Sequence, residues 1–350
     1  LYPPLSSIVG YTNGLYGQSG LERGVYAYLR GYALPYADVW RQELLYNQPP
    51  AGSDVKVNLN LSLQKAADTL LEGQKGAVVL LNAQTGEIYA LASHPYFNAN
   101  TLADDFSELM SREDAPMLNR TTQAAYPTGT LINLPALAAY WTEENFRYQL
   151  PGLSPRLDYP CFQAMQSIAK RVDVLQYGCE SASADLVSRA APEDLAAAMR
   201  GLGFFSQPVV AIESAAAADD PGARTDLSAW ARTASETQVT PLQMALMAAA
   251  ITNGGMQPTP KIVNSYQSES GAWTAFGGNK SAAEALNSAL ALQIRKTLTA
   301  ENQPIWFLNG HAPLLEGGTL TWYIGGTTPQ WVGVPLAIAV AVEGNQAELT

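Results

Sequence analysis

Between residues 55 and 93 the chain changes its hydrophobic period twice. Val55-Lys-Val-Asn-Leu-Asn-Leu61 alternates apolar and polar positions, which predicts a strand with one buried face. Leu63, Ala66, Ala67, Leu70 and Leu71 then recur at helical spacing, with Ser62 as the expected cap and Gly73 as the stop. Gly76-Ala-Val-Val-Leu-Leu81 is a continuous apolar run, Asn82-Ala-Gln-Thr-Gly86 a turn, and Glu87-Ile-Tyr-Ala-Leu-Ala-Ser93 a returning strand. Together they predict a hairpin that follows a helix.

The same reading continues along the chain. Tyr126-Pro-Thr-Gly129 predicts a turn, and the apolar run through Trp141 a buried helix opening near Thr130, with Pro135 tolerable only in its first turns. A helical pattern spans Phe162 to Leu175. Pro192 to Phe204 predicts a helix with proline near its first position, acids in the first turn and Arg200 in the last. Residues 206–226 read as loop. Thr240 is placed to cap a helix with Pro241 at its first position and Asn253-Gly-Gly255 at its close. A strand-like segment, Thr259–Tyr266, and a helix, Ser281–Thr299, come next. Thr321–Gly325 and Pro335–Glu343 read as two strands around a polar loop. Residues 1–52 are rich in Tyr, Gly and Pro, with a helix-like stretch at Val25–Leu29 and a linker at Pro49-Pro-Ala-Gly52, which sets a boundary before residue 53.

Composition narrows the class. The chain has 350 residues, 47% hydrophobic and 15% charged, enough for a sizeable core and too apolar for disorder. Its 20 basic and 31 acidic residues give a net charge of −11, which argues against nucleic acid or an anionic membrane surface as partner. There is no apolar run long enough for a membrane span and no signal peptide, and the first residue is not Met, so the natural N-terminus is expected upstream. Cys161 and Cys179 allow one bridge or two buried thiols. His94 and His311 sit beside no cysteine or carboxylate cluster at ligand spacing, so no metal or other cofactor is expected.

Four stretches resemble the transpeptidase domain of class B penicillin-binding proteins. Gly10-Tyr with Gly17-Gln-Ser-Gly-Leu-Glu22 is similar to the run that closes that family's N-terminal pedestal module. Leu59 to Pro95 follows the opening of the transpeptidase fold, and Val239-Thr-Pro-Leu-Gln-Met-Ala245 with Ala250-Ile-Thr-Asn-Gly-Gly255 repeats a family helix almost verbatim. Asn119-Arg-Thr-Thr-Gln123 and Tyr126-Pro-x-Gly-Thr130 match the lead-in to its active-site helix. The resemblance implies an α/β (α+β) fold shared with serine β-lactamases, a central antiparallel sheet flanked by helices. It implies that residues 1–52 are the end of a pedestal module with linker and 53–350 the transpeptidase-like domain. It also implies a closing helix after residue 343, although the chain stops at Thr350.

The family's chemistry uses three motifs in one cleft, and each is altered here. A serine opens the active-site helix and a lysine three residues on is its base; this chain has Thr130 and Asn133. Threonine's β-branch crowds attack, and an amide takes no proton near neutral pH. Thr130 reads as a helix N-cap. In the Ser-x-Asn motif, alignment through Cys179 places Gly178 and Glu180; a shifted register offers Ser181-Ala-Ser183. Glu180 is then a general base or an exposed, capping carboxylate. In the Lys-Thr-Gly-Thr motif the counterparts are Leu308, Asn309, Gly310 and His311, with Glu316-Gly-Gly-Thr319 as the other candidate.

Three readings follow. The preferred one is a catalytically inactive homologue, a scaffold or binding module in peptidoglycan synthesis or cell division, partnered by cell-wall proteins. The second is a divergent active D,D-transpeptidase or carboxypeptidase. The third is a non-covalent sensor of peptidoglycan peptides in the old cleft. All three place the domain on the extracytoplasmic face of the membrane, anchored by a missing N-terminal segment.

Overall fold

The structure is a computed structural model and describes residues 1–33, 36–141, 176, 178–223, 226–268, 271–277, 281–314 and 317–344. Its centre is a five-stranded antiparallel sheet of β1 (Lys75–Asn82), β2 (Ile88–His94), β3 (Ile305–Pro313), β4 (Thr319–Thr327) and β5 (Leu336–Glu343). The spatial order is β3-β4-β5-β1-β2, so β3 and β2 are the two edges. The hairpin β1–β2 forms where the pattern places it: Asn82 Oδ1 accepts from the backbone N–H groups of Gln84 and Thr85, and Gly86 turns the chain at φ 76°.

Each sheet face carries a helix. On one face α1 (Leu61–Leu70) packs against β2, and Ala67, Leu71, Val78, Ala90, Ala92 and Val342 make a small core. The buried side of α1 is Gln64, Ala67 and Asp68, while Leu63 and Leu70 are exposed, so the predicted apolar stripe is only half right. The cap is Asn60, whose side chain accepts from Ser62 N and Leu63 N, rather than Ser62. A polar face can be buried here because Gln64 bridges to the Leu91 backbone in both directions. Val55–Val57, the remnant of the predicted longer strand, pairs with Val263–Gln267.

On the opposite face every residue of the later helix Pro241–Thr252 is buried. Its Thr240 capping box, with Gln243 bonding back, and Pro241 in the first turn fulfil the sequence reading. Thr252 on that helix accepts from Trp306 Nε1 at 3.0 Å, and Trp322 Nε1 donates to Pro127 O at 3.0 Å. Both indoles are fully buried with their one donor satisfied, so each keeps roughly 2–3 kcal/mol of burial without a polar penalty.

Three further helices form a block beside the β3 edge: α2 (Asn133–Tyr140), α3 (Glu180–Arg189) and α4 (Pro192–Gly201), with α2 touching both of the others. The buried helix Pro241–Thr252 is α5, and α6 (Ser288–Thr297) is shorter than predicted because Asn287 caps it and Ala283–Glu284 is extended. The helical pattern at residues 162–175 lies outside the described residues, as does Cys161. Cys179 is buried and disulfide-bonded, so of the two alternatives open from the sequence it takes the bridge. Ile8, Leu21 and Val25 belong to the main core, so residues 1–29 pack directly on the rest. Among the described residues no helix is long and apolar enough to cross a membrane.

Candidate functional site: a cleft at the β3 edge

The cleft is built where β3 meets the turn before α2. Tyr126-Pro127 pairs with Gln238-Val239, the segment just ahead of α5. Thr128 strengthens this join, since its N–H and its hydroxyl both donate to Thr237 O. Gly129 then takes φ 57°, and a Cβ there would meet His311 O at 2.1 Å. This glycine is therefore required by both conformation and contact.

The next turn departs from the predicted cap. Gly129–Ile132 is a 3₁₀ turn, and the α-helix starts only at Asn133. Thr130 makes no capping bond. Its Oγ1 instead accepts from the backbone N–H of His311 at 3.1 Å, and the residue is 4% exposed. Two glycines close round this hydroxyl. A Cβ on Gly178, which stands at φ 61°, would lie 2.7 Å from Thr130 Oγ1, and one on Gly310 would lie 3.1 Å from it.

Asn133 is 0% exposed, and neither of its side-chain polar atoms has a hydrogen-bond partner among the described residues. The same holds for Asn309. Leu308 points into the main core with Trp306 and Ala312, as strand alternation requires. An unsatisfied buried amide costs about 1–3 kcal/mol. Asn133→Leu is therefore expected to raise stability by about 1–2 kcal/mol in chemical denaturation; a fall would show that the added volume outweighs the relieved amide.

Glu180 and His311 meet across the cleft. Glu180 is the first residue of α3 and half exposed, and its Oε1 lies 2.9 Å from His311 Nε2. It neither caps the helix nor stands free. His311 Nδ1 is buried without a partner among the described residues. Thus the residues 130, 178, 180, 310 and 311 come together, while Asn133, Leu308 and Asn309 are buried behind the surface. The cavity in front has a volume of about 320 Å³, lined by Thr130, Ile132, Glu180, Val187, Arg232 and His311 among others.

Of the other candidates, Ser183 also lines the cavity, but its hydroxyl donates back to Cys179 O at 3.2 Å. Ser181 falls within α3. Gly317 and Gly318 lie in the turn joining β3 to β4, beyond the stretch of β3 that touches Thr130, and Glu316 is outside the described residues. Sequence reasoning missed Arg232, an exposed cation in the cleft wall, because nothing local sets it apart from a solvated arginine. Chemically the cleft offers a hydroxyl, an imidazole held by a carboxylate, and a cation. Among the described residues it offers no amine base behind the hydroxyl.

Comparison with known proteins gives consistent results. The family described as "Penicillin binding protein transpeptidase domain" matches residues 76–309, about two thirds of the chain. Peptidoglycan D,D-transpeptidase MrdA of Escherichia coli (strain K12) is 32% identical over 161 residues, 42% of this chain and 24% of that protein. Peptidoglycan D,D-transpeptidase PbpA of Mycobacterium tuberculosis (strain H37Rv) is 27% identical over 290 residues, 74% of this chain and 58% of that protein. The chain therefore spans well under two thirds of these relatives' length. The imipenem acyl-enzyme complex of penicillin-binding protein A from M. tuberculosis superposes with a TM-score of 0.81 at 22% identity, over 99% of this chain and 88% of that one. At that identity the superposition speaks for the fold alone.

Proposed function

The chain belongs to the penicillin-binding protein transpeptidase family, and from that premise we propose that it serves peptidoglycan synthesis without performing serine–lysine acyl transfer. Asn133 carries this reading. It occupies the position three residues beyond the helix-opening hydroxyl, fully buried and without hydrogen-bond partners. An amide there cannot take the hydroxyl proton, and activation of the nucleophile depends on such a base. The Thr130 hydroxyl is also enclosed by Gly178 and Gly310 and held by the His311 N–H. No lysine lines the cavity among the described residues.

On this reading the domain is a scaffold or binding module beside active enzymes of cell-wall synthesis or division. It works on the extracytoplasmic face of the membrane, anchored through sequence upstream, and the cleft retains room for a peptidoglycan peptide. The test is intact-mass spectrometry after incubation with penicillin G. The expected spectrum shows unmodified protein only, and a penicilloyl adduct on Thr130 overturns the reading.

A second reading has one specific observation in its favour. The Glu180–His311 pair puts a carboxylate-held imidazole into the cavity that Thr130 also lines, while the His311 backbone N–H bonds the Thr130 hydroxyl, and these are elements of a divergent acyl-transfer site. It requires turnover of a D-Ala-D-Ala peptide that disappears in Thr130→Val.

A further inference from the structure

The largest build-up of buried, unused polar chemistry lies at the other edge of the sheet. His94 ends β2, the edge strand opposite β3, and its Nε2 lies 3.2 Å from Asp68 Oδ1. Both side chains are more than nine-tenths buried. Gln64 Nε2 also donates to the Asp68 carboxylate, and the Tyr2 hydroxyl bonds to it. Burial, with the Asp68 charge beside it, pushes the Tyr2 phenol up to about 12. Lys65 Nζ lies over one face of the Tyr2 ring, 5.6 Å from its centroid. Tyr96 stands edge-on to His94 at 5.2 Å.

Tyr2, Asp68, His94 and Tyr96 line a cavity of about 520 Å³, within the range of small-molecule sites. Glu72, Lys75 and Asp114 line it as well. The cavity shares no residue with the β3 cleft. With Asp68 holding Nε2, Nδ1 is the His94 nitrogen left for a ligand. Two aromatic rings, a fixed imidazole, the Glu72 carboxylate and the Lys75 amine describe a ligand with an apolar C–H face and an edge of hydroxyls. Asp114 is already paired with Arg112, an anion is disfavoured by Glu72 and Asp68, and among the described residues no group of three ligands could hold a metal ion.

We propose that this cavity is a carbohydrate site that takes one or two pyranose rings, with Tyr96 and the face of Tyr2 not covered by Lys65 against the ring faces and His94, Glu72 and Lys75 on the hydroxyls. The assignment is independent of whether the β3 cleft acylates. The lining contains hydrogen-bonding groups of both signs, which suits neutral sugars that donate and accept at each hydroxyl. Rings held by their faces bind without any covalent step, so the site is one of recognition.

The experiment titrates the full chain with N,N′-diacetylchitobiose and, in parallel, cellobiose, followed by calorimetry and by ligand-observed NMR. Saturable binding is expected, with Kd raised about tenfold or more in Tyr96→Ala and in Glu72→Ala. Both positions are exposed, so these variants are expected to melt as the parent does. Arg232→Ala, in the β3 cleft, is expected to leave sugar binding unchanged. Preference for the acetylated disaccharide assigns the site to amino-sugar glycan, and equal affinity assigns it to pyranosides generally. No saturable binding of either sugar overturns the proposal. So does binding that is indifferent to Tyr96→Ala and Glu72→Ala, or binding lost in Arg232→Ala.

Discussion

Gly129→Ala is expected to unfold the cleft and to cost about 4 kcal/mol or more of stability. Two penalties add. At φ 57° an L-residue is strained by about 1–2 kcal/mol. The new methyl also has nowhere to go, since it would sit 2.1 Å from His311 O and 2.6 Å from the Ala312 Cβ, both on a strand held in register along its length by β4. Relief requires β3 to move away from α2, and that separates Thr130 from the His311 N–H. Gly73→Ala is the control: its φ is 75°, yet nothing lies within 4 Å of the added carbon. It is expected to cost only the backbone strain, about 1 kcal/mol. Urea denaturation of the two variants separates conformation from contact, and equal losses would refute the contact argument.

Arg120→Ala is expected to cost about 3–5 kcal/mol, the cost of stranding buried partners of a charge. The guanidinium is almost wholly buried, with Nε 3.3 Å from Glu343 Oε1 and the two terminal nitrogens donating to Ala115 O at 3.0 Å and Asp114 O at 2.7 Å. The Tyr126 hydroxyl donates to the same Glu343 oxygen at 2.9 Å. Removing the arginine leaves one carboxylate and two carbonyls short of donors. Burial first, and Glu343 second, push the Tyr126 phenol up, so it stays a donor across the neutral range. Arg120→Lys is expected to recover little, because one ammonium cannot span three acceptors in a fixed fork. If Glu343→Gln added to Arg120→Ala restores part of the loss, the unpaired carboxylate is the main cost; strict additivity in a double-mutant cycle would exclude it.

The parts of the fold that were legible in the sequence are those in which local pattern and tertiary role agree. The hairpin from Gly76 to Ser93 and the helix after Thr240 carry their own punctuation, in Gly86 and in the Thr240–Gln243 box. In the helix at Leu61–Leu70 the apolar period finds Ala67 and Leu71 but not Gln64 and Asp68, which are buried by partners in β2 that no period reveals. The helix start was placed three residues early because the Gly129 turn is tightened into 3₁₀ form by contacts with β3.

The site followed the same logic. Motif flanks located Thr130, Gly178, Gly310 and His311, which the chain does bring together. The pairs Glu180–His311 and Asp68–His94 span 131 and 26 residues, so each histidine found a carboxylate although neither had one at ligand spacing in the sequence. Long-range partners of this kind leave no local signal.

The close approach of Gly178 to Thr130 makes the two positions a single constraint. A serine at position 178 would bring its Cβ to 2.7 Å from the Thr130 hydroxyl, in a backbone conformation that favours glycine. Replacing Thr130 by serine keeps that oxygen, and a lysine at 133 enters a fully buried position whose present amide has no hydrogen-bond partner among the described residues. Substitutions at 130, 133 and 178 are therefore expected to be tolerated in combination better than one at a time, so a serine–lysine pair cannot be grafted into this cleft position by position.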